Sequence, residues 1–189
     1  MKKITLVFIL LFTTLFAEEK MATFGGGCFW CMEAAFQPLE GVLRAESGYM
    51  GGEAHSANYD KVSSGKSSHY EVVQVRYDSN VISYKQLLDV FWRNIDPLDE
   101  NGQFYDKGNQ YKTVIFYQNQ LEKELALASK AALNKSGRFS KEIVTEIKPS
   151  KEFFKAEVYH QDYFKKNSLR YKMYKKASGR EEYLKKVWK

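Results

Sequence analysis

The chain has 189 residues, with 29 Lys or Arg against 23 Asp or Glu, for a formal net charge of +6 at pH 7. Once an N-terminal leader is set aside, about 170 residues remain, which is enough for one domain with a hydrophobic core. No repeat, low-complexity stretch or linker divides these residues, so a repeat array and a multidomain chain are excluded.

The first residues have the pattern of a secretory signal peptide. A basic start (Met1–Lys3) precedes a predominantly apolar run (Ile4–Phe16), and the small residue Ala17 follows. The apolar run is shorter than the roughly 20 residues that span a membrane. We expect residues 1–17 to be a cleaved signal peptide and residues 18–189 to be exported into an oxidising compartment, the periplasm. An uncleaved membrane anchor stays open as an alternative.

A glycine hinge carries both cysteines of the protein. The pattern predicts a strand over Met21–Phe24, then three glycines, then a helix over Cys28–Phe36. Cys28 would lie at the helix N-terminus, where free backbone N–H groups and the helix dipole stabilise a thiolate. Cys31 would lie one turn further on the same face, with Cβ atoms about 5–6 Å apart, near the range of a disulfide. This spacing favours a nucleophile with a neighbouring thiol that can resolve it.

Three other interpretations of the cysteines stay open. A structural disulfide suits an exported protein, although closing so short a loop removes little chain entropy. A zinc site usually uses two Cys or His pairs at ligand spacing, whereas His55, His69 and His160 stand singly. The third interpretation is two inert buried thiols, which the glycine hinge and the flanking aromatic residues disfavour.

The rest of the chain alternates between strands and helices. Apolar spacing first predicts a strand ending at Met50, a Gly- and Ser-rich loop with Tyr59 and a strand over His69–Tyr77. A helix follows, which begins with a Ser83/Gln86 capping box and ends at Asp96-Pro97, and then a polar loop over Asn101–Gln110. The remaining predicted elements are a strand over Thr113–Tyr117, a helix over Gln120–Leu133, a strand over Glu142–Lys148, and helices through Phe153–Lys166 and Glu181–Val187. This order contains the split strand–helix–strand arrangement of a ferredoxin-like sandwich. We therefore predict an α+β two-layer fold with a mixed sheet and a helical C-terminal extension.

One acid shares a strand face with apolar residues. Glu71 alternates in phase with Val73, Val75 and Tyr77. If that face is buried, burial raises the pKa of the carboxyl and keeps it protonated, as a general acid requires. The alternative is a strand-end position at which Glu71 faces solvent or pairs with a lysine.

The C-terminal segment is strongly basic. Residues 150–189 contain twelve Lys or Arg against five acids, and residues 168–189 form a basic helical tail. Such a tail is typical either of attraction to an anionic surface or of a solvated helical face. We favour the solvated face, and expect no specific nucleic-acid partner, because no stacking and groove motif accompanies the charge.

Several motifs occur in order along the chain. They are Gly27-Cys28-Phe29-Trp30 with Glu33-Ala34, Gly48-Tyr49-Met50-Gly51-Gly52, Ser64-Gly65 ahead of His69, Glu71-Val72-Val73-Gln74-Val75, Phe91-Trp92, Asp106-Lys107-Gly108-Asn109-Gln110-Tyr111 and Tyr159-His160-Gln161-Asp162-Tyr163. Taken together, this series resembles the A-type peptide methionine sulfoxide reductases over roughly Met21–Asn167, nearly the whole mature domain.

The resemblance implies a role for each site residue. Cys28 matches the nucleophile that attacks the sulfoxide sulfur, and Glu71 matches the general acid that protonates the departing oxygen. The other matching residues are Tyr59 and Tyr111, which hydrogen-bond that oxygen, Asp106, which shapes the same pocket, and Phe29 and Trp30, which cradle the S-methyl group.

The resemblance also implies the reaction and its partners. The S epimer of methionine sulfoxide, in oxidised proteins, in peptides or free, would be returned to methionine. Attack leaves a sulfenic acid on Cys28, a second thiol condenses with it to a disulfide, and an external dithiol protein such as thioredoxin reduces the disulfide. We expect no bound cofactor, no metal and a monomer.

The chain departs from the family pattern at two points. Many members place resolving cysteines near the C-terminus, whereas here Cys31 stands where a glycine often follows the motif's Trp. We therefore predict that Cys31 resolves the sulfenic acid of Cys28, with recycling by an external thiol as the alternative. Ser68-His69-Tyr70 replaces the usual Gly-His-Ala, but Tyr70 is predicted on the face opposite Glu71, so the acid is retained.

Two other functions remain as alternatives. The strand–CxxC–helix opening is compatible with a thioredoxin-type dithiol oxidoreductase, although none of Pro38, Pro97 and Pro149 opens a late strand facing the dithiol. The non-enzyme alternative is an exported binding module that uses the basic tail. Deleting the residues after Asn167 distinguishes this module from an enzyme whose tail is incidental.

Overall fold

The computed structural model describes residues 17–188. The predicted signal peptide therefore lies outside the described residues, apart from Ala17. The strands are β1 (Glu19–Gly26), β2 (Val42–Met50), β3 (Tyr70–Asp78), β4 (Gly102–Gln103), β5 (Asp106–Lys107), β6 (Thr113–Tyr117), β7 (Glu146–Pro149) and β8 (Phe153–Lys155). The helices are α1 (Phe29–Phe36), α2 (Tyr59–Ser63), α3 (Tyr84–Trp92), α4 (Gln120–Lys135), α5 (Tyr163–Lys166), α6 (Ser168–Ala177) and α7 (Arg180–Val187).

Six strands form a mixed sheet in the order β7-β6-β1-β3-β2-β8. β3 pairs antiparallel with both β1 and β2, so these two strands run in the same direction with β3 between them. Since α1 connects β1 to β2, this is the predicted split strand–helix–strand unit. β6 is antiparallel to β1, and only the β6–β7 pair of this sheet is parallel. The predicted α+β class is confirmed.

The main core lies between the sheet and helices α1, α3 and α4. The ring of Phe24 on β1 stacks on Phe36 at 5.0 Å and on Phe91 at 5.3 Å between centroids, joining the sheet to two helices. Each fully buried side chain of this size contributes roughly 1.5–3 kcal/mol to stability. Val73 and Val75 of β3 point into the same core, so the face that also carries Glu71 is the buried one.

The opposite face of the sheet has a smaller apolar cluster. Met50, Val72, Val114 and Phe116 are buried there, and the Tyr70 ring packs beside them. Tyr70 therefore lies on the face opposite Glu71, as the alternation predicts.

The capping box of α3 is present as the sequence predicts. The Ser83 hydroxyl accepts from the N–H of Gln86 at 3.3 Å, and the Gln86 side chain accepts from the N–H of Ser83 at 2.9 Å. At the other end, the Trp92 indole donates to Ser129 at 2.6 Å and ties α3 to α4.

The predicted helix over Phe153–Lys166 is wrong for most of its length. Phe153–Lys155 forms the edge strand β8, which pairs with β2 opposite Gly48. A Cβ on Gly48 would lie 2.3 Å from the Phe153 ring, so this glycine lets the edge strand approach. The helical part, α5, begins only after Asp162, which has a left-handed φ of +54°.

The C-terminal tail is helical, as predicted, but it is not simply a solvated face. Tyr171 of α6 is 7% exposed and Arg180 of α7 is 2% exposed. Lysines such as Lys172 and Lys176 remain exposed on the other side, so the tail is amphipathic and packs onto the domain. No helix among the described residues is long and apolar enough to cross a membrane.

Candidate active site

A small cavity of about 60 Å³ opens at the N-terminus of α1. Its lining residues come from five separate segments of the chain: Cys28, Phe29, Trp30, Tyr59, Glu71, Asp106, Tyr111 and Tyr174. The structure thus brings together seven of the eight residues that the sequence predicts for the site. The eighth, Cys31, lies behind the cavity, and Tyr174 is an addition that the sequence reasoning missed.

The glycine hinge positions Cys28 at this cavity. Gly27 has a φ of +79°, and a Cβ there would lie 2.5 Å from the Cβ of Gln103. The chain then turns into α1 with Cys28 as the N-cap residue, and the Cys28 carbonyl accepts from the N–H groups of Cys31 at 3.1 Å and Met32 at 3.4 Å. The Cys28 thiol is therefore held at the first turn of the helix.

Glu71 is a buried carboxyl aimed at the same helix N-terminus. It is 2% exposed, and its Oε2 accepts from the N–H of Phe29 at 3.1 Å. Burial raises its pKa to about 8; the Phe29 N–H acts in the opposite direction, whereas the charge of Asp106 raises it further. The solvent-facing alternative is therefore wrong, and Glu71 keeps its proton near neutral pH.

Aromatic residues enclose the cavity beside Cys28. The Trp30 ring stacks on Tyr163 with centroids 3.9 Å apart, and its indole N–H donates to Nδ1 of His160 at 3.0 Å. Phe29 packs against the His160 ring at 4.8 Å. Burial lowers the pKa of His160 to about 4, so the ring stays neutral and Nδ1 can accept the hydrogen bond from the indole N–H. Both walls are thus fixed before any substrate enters.

Tyr59 lies in the first turn of α2, not in a loop as predicted. Its N–H donates to Oε1 of Glu157 at 2.9 Å, while the Tyr49 hydroxyl donates to Oε2 of the same carboxylate at 2.8 Å. Burial raises the pKa of Tyr59 to about 12 and that of Tyr111 further, so both hydroxyls remain neutral donors.

The predicted polar loop over Asn101–Gln110 forms the β4–β5 hairpin, followed by a 3₁₀ turn over Asn109–Tyr111. A Cβ on Gly102 would lie 2.2 Å from the Asp106 carbonyl oxygen, so the hairpin requires glycine there. The hairpin presents the Asp106 carboxyl to the cavity, and burial raises its pKa.

Tyr174 closes the cavity from the C-terminal tail. Its hydroxyl donates to Oδ2 of Asp106, and its ring meets Trp30 edge-on at 5.8 Å. The three-residue spacing of Tyr171 and Tyr174 within the predicted tail helix is the signal that could have indicated a buried face.

Cys31 packs behind Cys28. Both cysteines belong to a cluster with Tyr163 and Tyr171 that is separate from the main core. Both cysteines are free thiols, 6% and 4% exposed. Burial raises the pKa of Cys28, whereas the hydrogen bond from the Cys28 thiol, assisted by the charge of Arg180, lowers that of Cys31 to about 7. Desolvation of Cys28 thus opposes the resting thiolate that the sequence analysis expects there.

A second buried acid holds the site together. Glu33 is 1% exposed, and its two oxygens accept from the Ser47 hydroxyl at 3.0 Å and the Asp162 N–H at 2.8 Å. Burial raises its pKa to about 7. Glu33 thereby ties α1 to β2 and to the segment that carries His160. The sequence analysis names Glu33 only as part of a motif and assigns it no role.

The described residues contain no cluster of three or more His, Cys, Asp or Glu that could hold a metal ion. The chemistry available in the cavity is therefore that of a thiol, a protonated carboxyl and neutral hydroxyl donors around a small apolar slot. This set can attack an oxidised sulfur and protonate its oxygen.

Comparison with known proteins identifies the family. The family described as "Peptide methionine sulfoxide reductase" matches residues 20–189. Peptide methionine sulfoxide reductase MsrA of Listeria monocytogenes serotype 4a (strain HCC23) is 47% identical over 168 residues, 89% of this chain and 95% of that protein. The MsrA/MsrB protein of Vibrio cholerae serotype O1 is 45% identical over 172 residues, 91% of this chain, and the chain spans about half (46%) of its length.

Solved structures agree with this match. The reduced form of Mxr1 from Saccharomyces cerevisiae has a TM-score of 0.75 at 32% identity, covering 79% of this chain and 86% of that chain. Mxr1 in complex with Trx2 has a TM-score of 0.52 at 22% identity, over 80% of this chain and 91% of that chain, which shows the fold alone. The match favours a sulfoxide reductase over the thioredoxin-type alternative. The chain belongs to the A-type peptide methionine sulfoxide reductases, oxidoreductases that return methionine sulfoxide to methionine.

Proposed function

We propose that the reduction proceeds by attack of Cys28 Sγ on the sulfoxide sulfur while Glu71 protonates the sulfoxide oxygen. The observation that carries this mechanism is the shared cavity of a helix N-terminal thiol and a buried carboxyl. With a pKa raised by burial to about 8, Glu71 still holds a proton to donate near neutral pH. The oxygen passes from the substrate sulfur to Cys28, and the thiol proton of Cys28 replaces the one that Glu71 gave, so that a thiol and a sulfoxide become a sulfenic acid and methionine.

The other cavity residues then bind the two ends of the sulfoxide group. Tyr59 and Tyr111 donate hydrogen bonds to the oxygen, beside the Asp106 carboxyl, and Phe29 and Trp30 enclose the S-methyl group. Because a cavity of about 60 Å³ is lined by both hydroxyl donors and apolar rings, we infer that it accepts only one epimer of a chiral sulfoxide. We assign this selectivity to the S epimer, as the family resemblance implies.

Cys31 resolves the sulfenic acid in this mechanism. Its sulfur attacks Cys28 Sγ, a Cys28–Cys31 bond forms, and the S–O bond breaks. The oxygen leaves as water with the Cys31 proton, so no outside oxidant is needed. The position of the two thiols in one buried cluster and the pKa of about 7 at Cys31 support this assignment.

The disulfide is then reduced by an external dithiol protein of the thioredoxin type, in keeping with the solved complex of yeast Mxr1 with Trx2. We further propose that the protein acts on oxidised proteins, peptides or free methionine sulfoxide after export to the periplasm. The amino-terminal pattern of residues 1–17 supports export. We also propose that the protein acts as a monomer.

The mechanism is tested by one turnover without reductant. The protein is mixed with one equivalent of either epimer, methionine is quantified, and the cysteine peptides are mapped by mass spectrometry. We expect methionine from the S epimer alone and a Cys28–Cys31 disulfide in the wild type. Cys28→Ser yields no methionine above the protein-free rate, and Cys31→Ser stops at a Cys28 sulfenic acid.

A wild-type protein that consumes Cys28 but leaves Cys31 as a free thiol would contradict the local resolving step and favour recycling by an external thiol. Methionine formation by Cys28→Ser at the wild-type rate would contradict the whole mechanism.

A further inference from the structure

Tyr171 lies against the two cysteines, and the mechanism above does not use it. It belongs to α6, is 7% exposed, and packs in one cluster with Cys28, Cys31 and Tyr163. Its hydroxyl oxygen is buried and has no hydrogen-bond partner in the resting geometry among the described residues. Because a buried hydroxyl without a partner costs about 1–3 kcal/mol, this group invites a functional explanation.

Tyr171 and Cys31 are buried in the same cluster. Burial raises the pKa of Tyr171, and a thiolate at Cys31 raises it further, through its charge and through a hydrogen bond with the hydroxyl. A neutral thiol is a poor acceptor, whereas a thiolate is a good one. The missing partner is therefore supplied only when Cys31 becomes charged.

The tail that carries Tyr171 is firmly anchored at this position. The guanidinium of Arg180 on α7 is buried and donates to the carbonyl of Gly26 at 2.9 Å and to that of Asn94. Its plane also lies over the Phe104 ring, 4.5 Å from the centroid. These contacts fasten α7 to the glycine hinge, and Tyr174 fastens α6 to Asp106. The tail that carries Tyr171 is thus attached to the domain through both α6 and α7.

The resolving step needs such a donor. Cys31 must give up its proton to attack the sulfenic sulfur of Cys28, and the thiolate forms at a site only 4% exposed to water. The backbone N–H of Cys31 already donates to the Cys28 carbonyl, so it cannot stabilise this charge. The Tyr171 hydroxyl has no other partner, so it can stabilise the charge on Cys31.

We propose that Tyr171 is a catalytic residue of the resolving step, donating a hydrogen bond to Cys31 Sγ as that sulfur attacks the Cys28 sulfenic acid. The new S–S bond forms, the S–O bond breaks, and the oxygen leaves as water with the proton lost by Cys31; Tyr171 keeps its own proton. This role rests on the assignment of Cys31 as the resolving thiol.

Other groups near Cys31 also influence its titration. They are Cys28 at the N-cap of α1, Glu71 on β3, Asp106 on β5, Tyr174 and Lys175 on α6, and Arg180 on α7, while Tyr163 of α5 packs in the same cluster. Since Tyr171→Phe leaves all of them in place, any change in the pH profile of this variant reports the hydroxyl alone. Loss of a donor to the thiolate raises the pKa of Cys31, so disulfide formation shifts to higher pH.

The test follows both chemical steps in a single turnover without reductant, in wild type and Tyr171→Phe, between about pH 6 and pH 9. Methionine release reports the first step. The sulfenic acid, trapped with dimedone, and the Cys28–Cys31 disulfide report the second. Tyr84→Phe is the matched control, because the Tyr84 hydroxyl is also buried without a partner but lies in the main core.

We expect Tyr171→Phe to release methionine at the wild-type rate but to form the disulfide about tenfold more slowly at neutral pH, a difference of about 1.4 kcal/mol in activation free energy, because the charged sulfur loses a hydrogen-bond donor. Its disulfide-forming rate should recover toward higher pH, while Tyr84→Phe behaves as wild type. The protein's ability to release methionine shows that the variant is folded.

Equal disulfide-forming rates in wild type and Tyr171→Phe at every pH would overturn the role of Tyr171. An equal slowing in Tyr84→Phe would overturn it as well, because the effect would then not come from the contact with Cys31. Absence of the disulfide in the wild type itself would instead overturn the assignment of Cys31, so the two failures are distinguishable.

Discussion

At the scale of single residues, the site depends on groups whose burial changes their protonation. Glu71 is charged in water at neutral pH, but its position at the inner end of β3 removes it from solvent and raises its pKa from 4.5 to about 8. The same desolvation keeps Tyr59 and Tyr111 neutral and raises the pKa of Cys28. The fold therefore holds proton donors around the cavity. Burying an ionisable carboxyl such as Glu71 lowers the free energy of unfolding at a pH where the unfolded chain would ionise it.

This loss of stability is measurable for Glu71. In the unfolded chain its carboxyl ionises near pH 4.5, but in the folded chain it stays protonated to about pH 8. Between these values the folded state binds more protons, so the free energy of unfolding contributed by this group falls as pH rises. At about 1.4 kcal/mol per pKa unit, the total is on the order of 5 kcal/mol.

We therefore predict that Glu71→Gln is more stable than wild type at pH 9 and close to it at pH 4.5, as measured by chemical denaturation at both pH values. The exposed Glu100→Gln serves as control and is expected to match wild type at both. A stability difference for Glu71→Gln that is the same at pH 4.5 and pH 9 would contradict the burial of an ionisable carboxyl at this position.

At the scale of elements, the C-terminal tail contributes more than the sequence indicated. Its charge suggested a solvated face, but α6 supplies Tyr174 to the cavity wall and α7 buries Arg180 beneath the glycine hinge. Deleting the residues after Asn167 removes both. Such a deletion therefore disrupts the site, and it does not test whether the tail is incidental.

Tyr174 offers a test of the tail's part in substrate binding. Tyr174→Ala removes the aromatic wall against Trp30 and the donor to Asp106. We expect the KM for methionine sulfoxide to rise roughly tenfold, or about 1.4 kcal/mol, because an aromatic pair contributes about 0.5–1.5 kcal/mol beyond its buried area. Met173→Ala, on the exposed side of the same helix at 66% exposure, is the control. Steady-state kinetics that show no change in KM for Tyr174→Ala would remove Tyr174 from the substrate site.

At the scale of the whole molecule, the sequence predicted those features that depend only on residues close together in the chain. The glycine hinge, the cysteine pair and the alternation around Glu71 are short-range features, and each appears where the sequence analysis expected it. The split strand–helix–strand order followed from the same periodicities. The family resemblance added Tyr59, Asp106 and Tyr111, whose residue types alone do not mark them as site residues.

The parts that the sequence did not predict depend on long-range contacts. Phe153–Lys155 has an apolar pattern compatible with helix or strand, and only its pairing with β2 decides for strand. Glu33 accepts from Asp162, 129 positions away. Tyr174 reaches Asp106 across 68 positions. The spacing of residues within a short stretch of sequence does not predict contacts between residues that lie so far apart in the chain.

The mechanism depends on the pairing of the Cys28 thiol with a protonated Glu71 across one cavity. Its most direct test is the pH dependence of methionine formation in a single turnover by wild type and Glu71→Gln. Wild type should lose activity as pH rises through about 8, where Glu71 gives up its proton, and Glu71→Gln should be about a hundredfold slower, with no activity loss centred on that pH. Wild-type rates in Glu71→Gln at neutral pH would contradict the assignment.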